Sequence, residues 1–242
     1  MAIYAISDIH VKTDGLNSEV LKSFISLDFK EGDTIYFLGD IFDLLIGPHS
    51  QYFELFNWYF DRLRELVAKN IEIHYFEGNH DFHLEKLLGK IGIQVHKTPV
   101  VKEYFGKKFL FCHGDEIEIG NPSYKAYKGF ITSKPLNFVA NYIMPYSLLN
   151  FIGENASKKS RKRNKNRYGN PQENFKIRDK FREAAAIAAS KYKTDIVICG
   201  HSHFRDDFEW AENRYLNCGY LPVTKNYIRI EEGQISFNPL SL

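Results

Sequence analysis

The stretch Thr34-Ile35-Tyr36-Phe37-Leu38-Gly39-Asp40-Ile41-Phe42-Asp43 decides how the rest of the chain is read. β-prone residues run straight into Gly-Asp, the pattern of a fully buried strand that stops at a glycine turn and presents a carboxylate at its end. One such Gly-Asp means little, because aspartate is a common turn former. Here the arrangement recurs. Apolar runs also stop at Asp8-Ile9-His10, at Gly78-Asn79-His80-Asp81, at His113-Gly114-Asp115 and at Gly200-His201-Ser202-His203. Asp40 is expected to be the residue on which the other four stretches converge.

Working outward, Ala2–Ser7 reads as a strand, 16–25 as an amphipathic helix, Gln51–Lys69 as one long amphipathic helix and Ile71–Phe76 as a third strand. This β-α-β-α-β order calls for parallel strands with crossover helices. Active sites of open α/β sheets lie beyond the carboxyl ends of such strands. After a short helix at Leu84–Leu88 the rhythm changes. Ile93–His96, Val100–Tyr104 and Lys108–Cys112 are expected as strands, with a hairpin turn at Phe105-Gly106-Lys107. Asp195–Cys199, Asp206–Trp210, Arg214–Cys218, Tyr227–Ile230 and Gln234–Phe237 follow near the end. The expected fold is α/β (α+β): two sheets packed face to face with helices outside.

Residues 121–190 lack a strand signal and are expected to be a helical cap inserted into a core formed by 1–120 and 191–242. Pro135 to Gly153 contains no charged residue, and the run from Lys158 to Arg167 that follows carries 7 basic groups and no acid. An uncharged apolar stretch of this kind reads equally as helix core, as an acyl-chain groove or as a surface that dips into a membrane interface. The basic run reads equally as a solvated loop or as a site for anionic headgroups or a diphosphate.

The bulk properties narrow the class. The 242 residues are 44% hydrophobic and 26% charged, enough for a real core and unlike a disordered chain. Net charge is only +2, and the basic run lacks interleaved aromatics, so no nucleic-acid partner is expected. Three cysteines, Cys112, Cys199 and Cys218, lie outside any CxxC spacing and read as buried thiols of a reducing compartment. The N-terminus shows no signal-peptide pattern, and a cytoplasmic protein is expected, with peripheral contact at the cytoplasmic face of the inner membrane through the cap.

Singly, each strand-end residue has an ordinary explanation. Asp8 and Asp40 fit helix caps, Asn79 a left-handed turn, and His113 a hydrogen-bonded core histidine. Together they do not. His10, His80, His113, His201 and His203 all fall within two residues of a strand end that also carries Asp, Asn or Gly. Asp-x-His and His-x-His let two side chains face one side. Carboxylate, imidazole and amide oxygen without thiolate suit Mn, Fe or Zn.

These blocks, in this order, resemble the signature of the calcineurin-like binuclear metallophosphoesterases. The resemblance spans most of the chain and implies a two-sheet αββα sandwich. It implies that Asp8, His10, Asp40 and His203 hold one metal ion and Asp40, Asn79, His113 and His201 a second, with Asp40 shared. Manganese is the expected cofactor, and two-metal hydrolysis of a phosphoester the expected chemistry. It further implies that His80 and Asn79 contact the phosphate and that His80 protonates the leaving group, oriented by Asp43 or Asp81.

Within the family, the compact size, Phe82 after Gly-Asn-x-Asp, Ile46-Gly47 after Asp43 and the apolar-plus-basic insertion are similar to the branch acting on UDP-2,3-diacylglucosamine in lipid A synthesis. Its product would be a lipid monophosphate plus UMP. That branch carries arginine where His80 stands, which keeps open a general phosphodiesterase or nucleotide phosphatase. Tyr124, Tyr127, Asn164 and Lys165 are candidate substrate contacts, and Arg161 and Arg163 serve equally well as surface charge.

Overall fold

The computed structural model describes residues 1–151, 153 and 171–242. Asn164, Lys165, Arg161, Arg163 and the basic run around them lie outside the described residues.

The first three strands, β1 (Ala2–Ile6), β2 (Thr34–Phe37) and β4 (Glu72–Phe76), lie parallel and side by side. Every residue of β1 and β2 is buried, as expected for strands covered on both faces. β6 (Gln94–His96) extends this sheet in parallel, while β12 (Asn226–Glu231) and β13 (Gln234–Pro239) extend it antiparallel beyond β1, giving the order β13-β12-β1-β2-β4-β6. The second sheet, β10-β11-β9-β8-β7, is built from Val100–Tyr104 (β7), Lys107–Phe111 (β8), Ile196–Cys199 (β9), Asp206–Trp210 (β10) and Asn213–Asn217 (β11). Here β8, β9 and β11 run parallel.

The alternation of side chains explains the layers. Phe109 and Phe111 of β8 join the core between the sheets, and the Phe111 ring stacks on Tyr36 of β2 at 3.8 Å. Their neighbours Leu110 and Cys112 face the other way, into a second cluster with Val197 and Cys199. On β2, Phe37 points opposite to Tyr36 and meets Phe24 and Tyr59 edge-on. Those rings come from α1 (Leu16–Ile25) and α3 (Asn57–Ala68), the helices outside the first sheet.

Three details differ from the sequence reading. The helix expected over Gln51–Lys69 is two, α2 (Gln51–Leu55) and α3. Phe56 leaves the helical region at φ −124°, ψ 36° and packs its ring against Phe42. A two-stranded parallel sheet, β3 (Leu45–Ile46) with β5 (Asp81–Phe82), joins the Asp40 and Asn79 loops and is too short to leave a periodicity. Finally, α8 (Pro171–Tyr192) falls largely inside the range expected for the cap, yet Ile177, Phe181, Ala185, Ala188 and Ala189 pack on the second sheet. It is that sheet's outer helix, and the packed core therefore resumes well before residue 191. The helices α5 (Pro122–Ile131), α6 (Lys134–Tyr142) and α7 (146–151) carry the exposed side chains Phe130, Phe138, Tyr142, Leu148 and Phe151, and Ile143 just after α6 is exposed as well. α4 (Glu85–Leu88), a 3-10 turn at Gly89–Ile91 and α9 (Leu221–Thr224) complete the described elements.

Candidate metal centre

Because β1, β2 and β4 are parallel in one sheet and β8 and β9 are parallel in the other, their carboxyl ends gather the loops that follow. Asp8 follows β1, Asp40 follows β2, Asn79 follows β4, His113 follows β8, and His201 and His203 follow β9. His10 lies two residues beyond Asp8. The loops are tied to one another through the backbone. The Asp40 carbonyl accepts from Ile9 N at 2.9 Å and His10 N at 3.0 Å, and the His113 carbonyl accepts from Gly200 N at 2.7 Å.

Five of these residues hold a left-handed backbone: Asp8 (φ 52°), His10 (54°), Asp40 (52°), His201 (65°) and His203 (56°). Such conformations are uncommon for residues with a Cβ and persist where the surroundings impose them, as they do at functional sites. Two glycines make the crowding possible. A Cβ on Gly39 would lie 2.5 Å from His113 Nδ1, and one on Gly78 would lie 2.2 Å from Asp40 Oδ1.

Asp40 sits at the centre, with 1% of its surface exposed. Its Oδ1 accepts the backbone N–H groups of Asn79 and His80, both at 2.9 Å. Its Oδ2 faces His10 Nε2 at 3.8 Å on one side and His113 Nε2 at 3.7 Å on the other. Two donor sets meet at this oxygen. One is Asp8, His10, Asp40 and His203, and the other is Asp40, His113 and His201; within each set the ligand atoms lie within 4.8 Å of one another. Asn79 Oδ1 stands 3.4 Å from His113 Nε2 and extends the second set. The structure thus brings together all seven residues that the sequence picked out.

The donor chemistry fits divalent cations. His113 Nδ1 donates to the Leu38 carbonyl at 2.8 Å, so its Nε2 presents a lone pair toward the Asn79 and Asp40 oxygens, which also present lone pairs. Converging lone pairs of this kind need a cation between them. Burial opposes ionisation of Asp40, but the positive charge that His113, His80 and His10 carry when protonated outweighs it and holds the carboxyl well below the usual range. Burial also pushes the His10 imidazole down to about 3, against the pull of Asp40, so it is neutral and able to ligate at physiological pH.

The other predicted residues separate. His80 donates Nδ1–H to the Asp43 carbonyl at 3.0 Å, and the Asp43 carboxylate stands 4.0 Å away. The His80 ring lies edge-on to His10, with centroids 4.7 Å apart. Asp81 does not orient His80. Its buried carboxylate accepts N–H groups of Asp40, Ile41, Phe42 and Gly78 and the hydroxyl of Tyr75, which fixes the loop after β2 against the loop after β4. Burial and then the neighbouring Asp40 charge raise it to about 7. Tyr124 stands over His201 with ring centroids 5.4 Å apart and donates its hydroxyl to Asp115 at 2.8 Å. Tyr127 is half exposed behind it.

Sequence reasoning missed the residues that reach in from elsewhere. Tyr220 stacks on His203 at 5.5 Å, and Asn17 ties the Tyr220 hydroxyl to the carbonyls of Ile9 and His10. Glu118 lies 3.5 Å from His201 Nε2 and also accepts from Lys180 of α8 at 2.8 Å. Burial opposes its charge, but the hydrogen bonds from His201 and Lys180 lower it to about 2. Lys128 donates to the Gly78 carbonyl at 2.7 Å and pairs with Asp115 at 2.8 Å. None of these residues adjoins a ligand in a way that sequence spacing reveals.

Residues 1–205 match the family model described as calcineurin-like phosphoesterase. The chain is 24% identical over 242 residues to a UDP-2,3-diacylglucosamine hydrolase of Haemophilus ducreyi, with 98% of this chain and 99% of that protein covered. It is 25% identical over 240 residues to the protein of the same name from Haemophilus influenzae, with 97% of each chain covered. A third, from Porphyromonas gingivalis, is 34% identical over 120 residues, covering 47% of this chain and 46% of that one. The chain belongs to the calcineurin-like phosphoesterase family and is a metal-dependent hydrolase of phosphoester or pyrophosphate bonds.

Proposed function

We propose that this calcineurin-like phosphoesterase cleaves UDP-2,3-diacylglucosamine to the lipid monophosphate and UMP. One observation carries the reading. The two donor sets around Asp40 belong to a chain that aligns almost end to end with hydrolases named for that substrate.

We assign Asp8, His10, Asp40 and His203 to one divalent ion and Asp40, Asn79, His113 and His201 to the other, with Mn as the metal. When bound, such a pair neutralises phosphoryl oxygens and supplies an acidified water for in-line displacement. The chain does the rest. The amides of Asn79 and His80 hold Asp40 Oδ1, which leaves Oδ2, facing His10 and His113, available as a ligand when metal is bound. The Leu38 carbonyl sets the His113 tautomer, and Glu118 restrains His201. His80, anchored through Nδ1–H on the Asp43 carbonyl, contacts the phosphate beside Asn79, and its Nε2 passes a proton to the departing oxygen. Tyr124 and Tyr127 line the approach from α5.

The acyl chains are assigned to the exposed apolar side chains of α5–α7, including Phe130, Phe138 and Tyr142. The same face would make peripheral contact with the inner membrane. Among the described residues no helix is long and apolar enough to cross a membrane. The test is UMP release from the lipid substrate by Mn-loaded protein. Release well above that of a His113→Ala control is expected, and release equal to that control would reject the reading.

A further inference from the structure

Beside the metal centre, under α5 and α6, lies a chamber of about 640 Å³ lined by charged and polar residues whose carbon atoms give it more apolar than polar surface. That size is in the usual range for small-ligand sites. Its inner wall is shared with the centre. Tyr124 faces His201, and Lys128 reaches the carbonyl of Gly78, the residue before Asn79. The far wall comes from Thr132 at the end of α5 and from Lys134 and Asn137 of α6.

The charges are unbalanced in a way that favours an anion. The Asp115 carboxylate is compensated by Lys128 at 2.8 Å, and Glu77 accepts the Leu84 N–H at 2.7 Å. Burial, and next the Asp115 charge, raise Glu116 to about 8, so it adds little negative charge near neutrality. Lys125 and Lys134 also line the chamber, and both are exposed at its rim. Among the described residues neither makes an ion pair. An acyl chain would take the charged ends of these side chains out of water without giving them partners, whereas a nucleoside monophosphate can use both the charges and the carbon surface between them. The apolar side chains that do suit an acyl chain, Phe130, Phe138 and Tyr142, sit exposed elsewhere on the same two helices.

We propose that this chamber holds the nucleoside monophosphate portion of the substrate, with Lys125 and Lys134 as binding residues for its anionic and polar groups. The assignment rests on the reading above that the substrate is a nucleotide-linked lipid. The two ends of the substrate are then sorted by chemistry: the nucleotide enters the lysine-bearing chamber, the acyl chains follow the exposed apolar face, and the diphosphate lies at the metal centre between them.

The test uses Mn-loaded full-length protein and the double variant Lys125→Ala/Lys134→Ala, whose changes lie on the surface and spare the fold. Calorimetric titration with UMP and with inorganic phosphate separates the chamber from the metal centre, which binds phosphate in either case. In the unmodified protein UMP is expected to bind roughly tenfold tighter than phosphate, and the double variant is expected to lose that advantage. KM for UDP-2,3-diacylglucosamine should rise by a similar factor, and by more than KM for bis-p-nitrophenyl phosphate, which carries no nucleoside. Equal UMP affinity in both proteins would overturn the chamber assignment and leave the lipid reading standing. Absence of cleavage of the lipid substrate, with UMP preference still dependent on the two lysines, would reject the lipid reading and retain a nucleotide chamber.

Discussion

The strand-end loops and the helices α5–α7 are built on opposite principles. In the loops, Asp8, Asp40, His113 and Asp81 are buried, and each has its orientation set by backbone groups of another loop. In the helices, large apolar side chains face outward. Their ties to the core are both polar, such as His83 Nε2 on the Ile131 carbonyl at 3.0 Å, Asn137 to His83 at 2.6 Å and Lys128 on Gly78, and apolar, such as Tyr146 edge-on to Tyr52. Chemistry is thus held by an internally cross-bonded set of loops, while substrate choice is assigned to a surface that leaves large apolar side chains exposed.

The sharpest way to break this contrast is to damage the loops without touching a ligand. Asp81→Ala removes the acceptor for four backbone N–H groups and the Tyr75 hydroxyl. It is expected to lower stability by about 3 kcal/mol and to abolish activity, checked by urea denaturation and turnover together. Gly78→Ala is expected to act more locally, because its Cβ would press on Asp40 Oδ1. A loss of roughly a hundredfold in kcat with a smaller loss of stability is the expected outcome. If Asp81→Ala remained stable, the loops would not depend on their mutual hydrogen bonds.

A pH measurement probes the core between the sheets. His74 is buried, hydrogen-bonded to His96 at 2.8 Å and stacked on Tyr36 at 4.6 Å. Burial pushes its imidazole down to about 4, against the pull of Glu72. A histidine whose folded value lies below its unfolded value resists protonation in the native state. Its contribution is present above the unfolded value near 6.5 and is lost as pH falls from there toward 4. The expected cost across that window is about 3 kcal/mol, read as a weaker pH dependence of urea stability in His74→Gln than in the unmodified protein. On the helical side the expectation is smallest for stability. Phe138→Ser with Tyr142→Ser should change it by under about 0.5 kcal/mol, since both side chains are exposed, while raising KM for acylated substrate alone.

The same contrast explains what could be read from the sequence. Metal-ligand candidates were legible because each terminates an apolar strand, so one-dimensional order reports three-dimensional position. Residues such as Tyr220, Asn17 and Glu118 reach the site across long sequence separations, and nothing local distinguishes Tyr220 from any other aromatic. α8 was misplaced because Ile177, Phe181 and Ala185 mark an amphipathic helix without saying which sheet it covers. His80 remains the departure from the arginine of the similar branch, and its bond to the Asp43 carbonyl shows that the histidine has its own anchor.

The central claim is that Asp40 is shared by two metal ions. Metal analysis of Mn-reconstituted protein, beside Asp40→Asn prepared in the same way, tests it directly. The unmodified chain is expected to retain two ions. The variant should keep its fold by circular dichroism, retain at most one ion and lose turnover by roughly a thousandfold or more. A folded Asp40→Asn protein that retained both ions, or that turned over at the unmodified rate, would contradict the account.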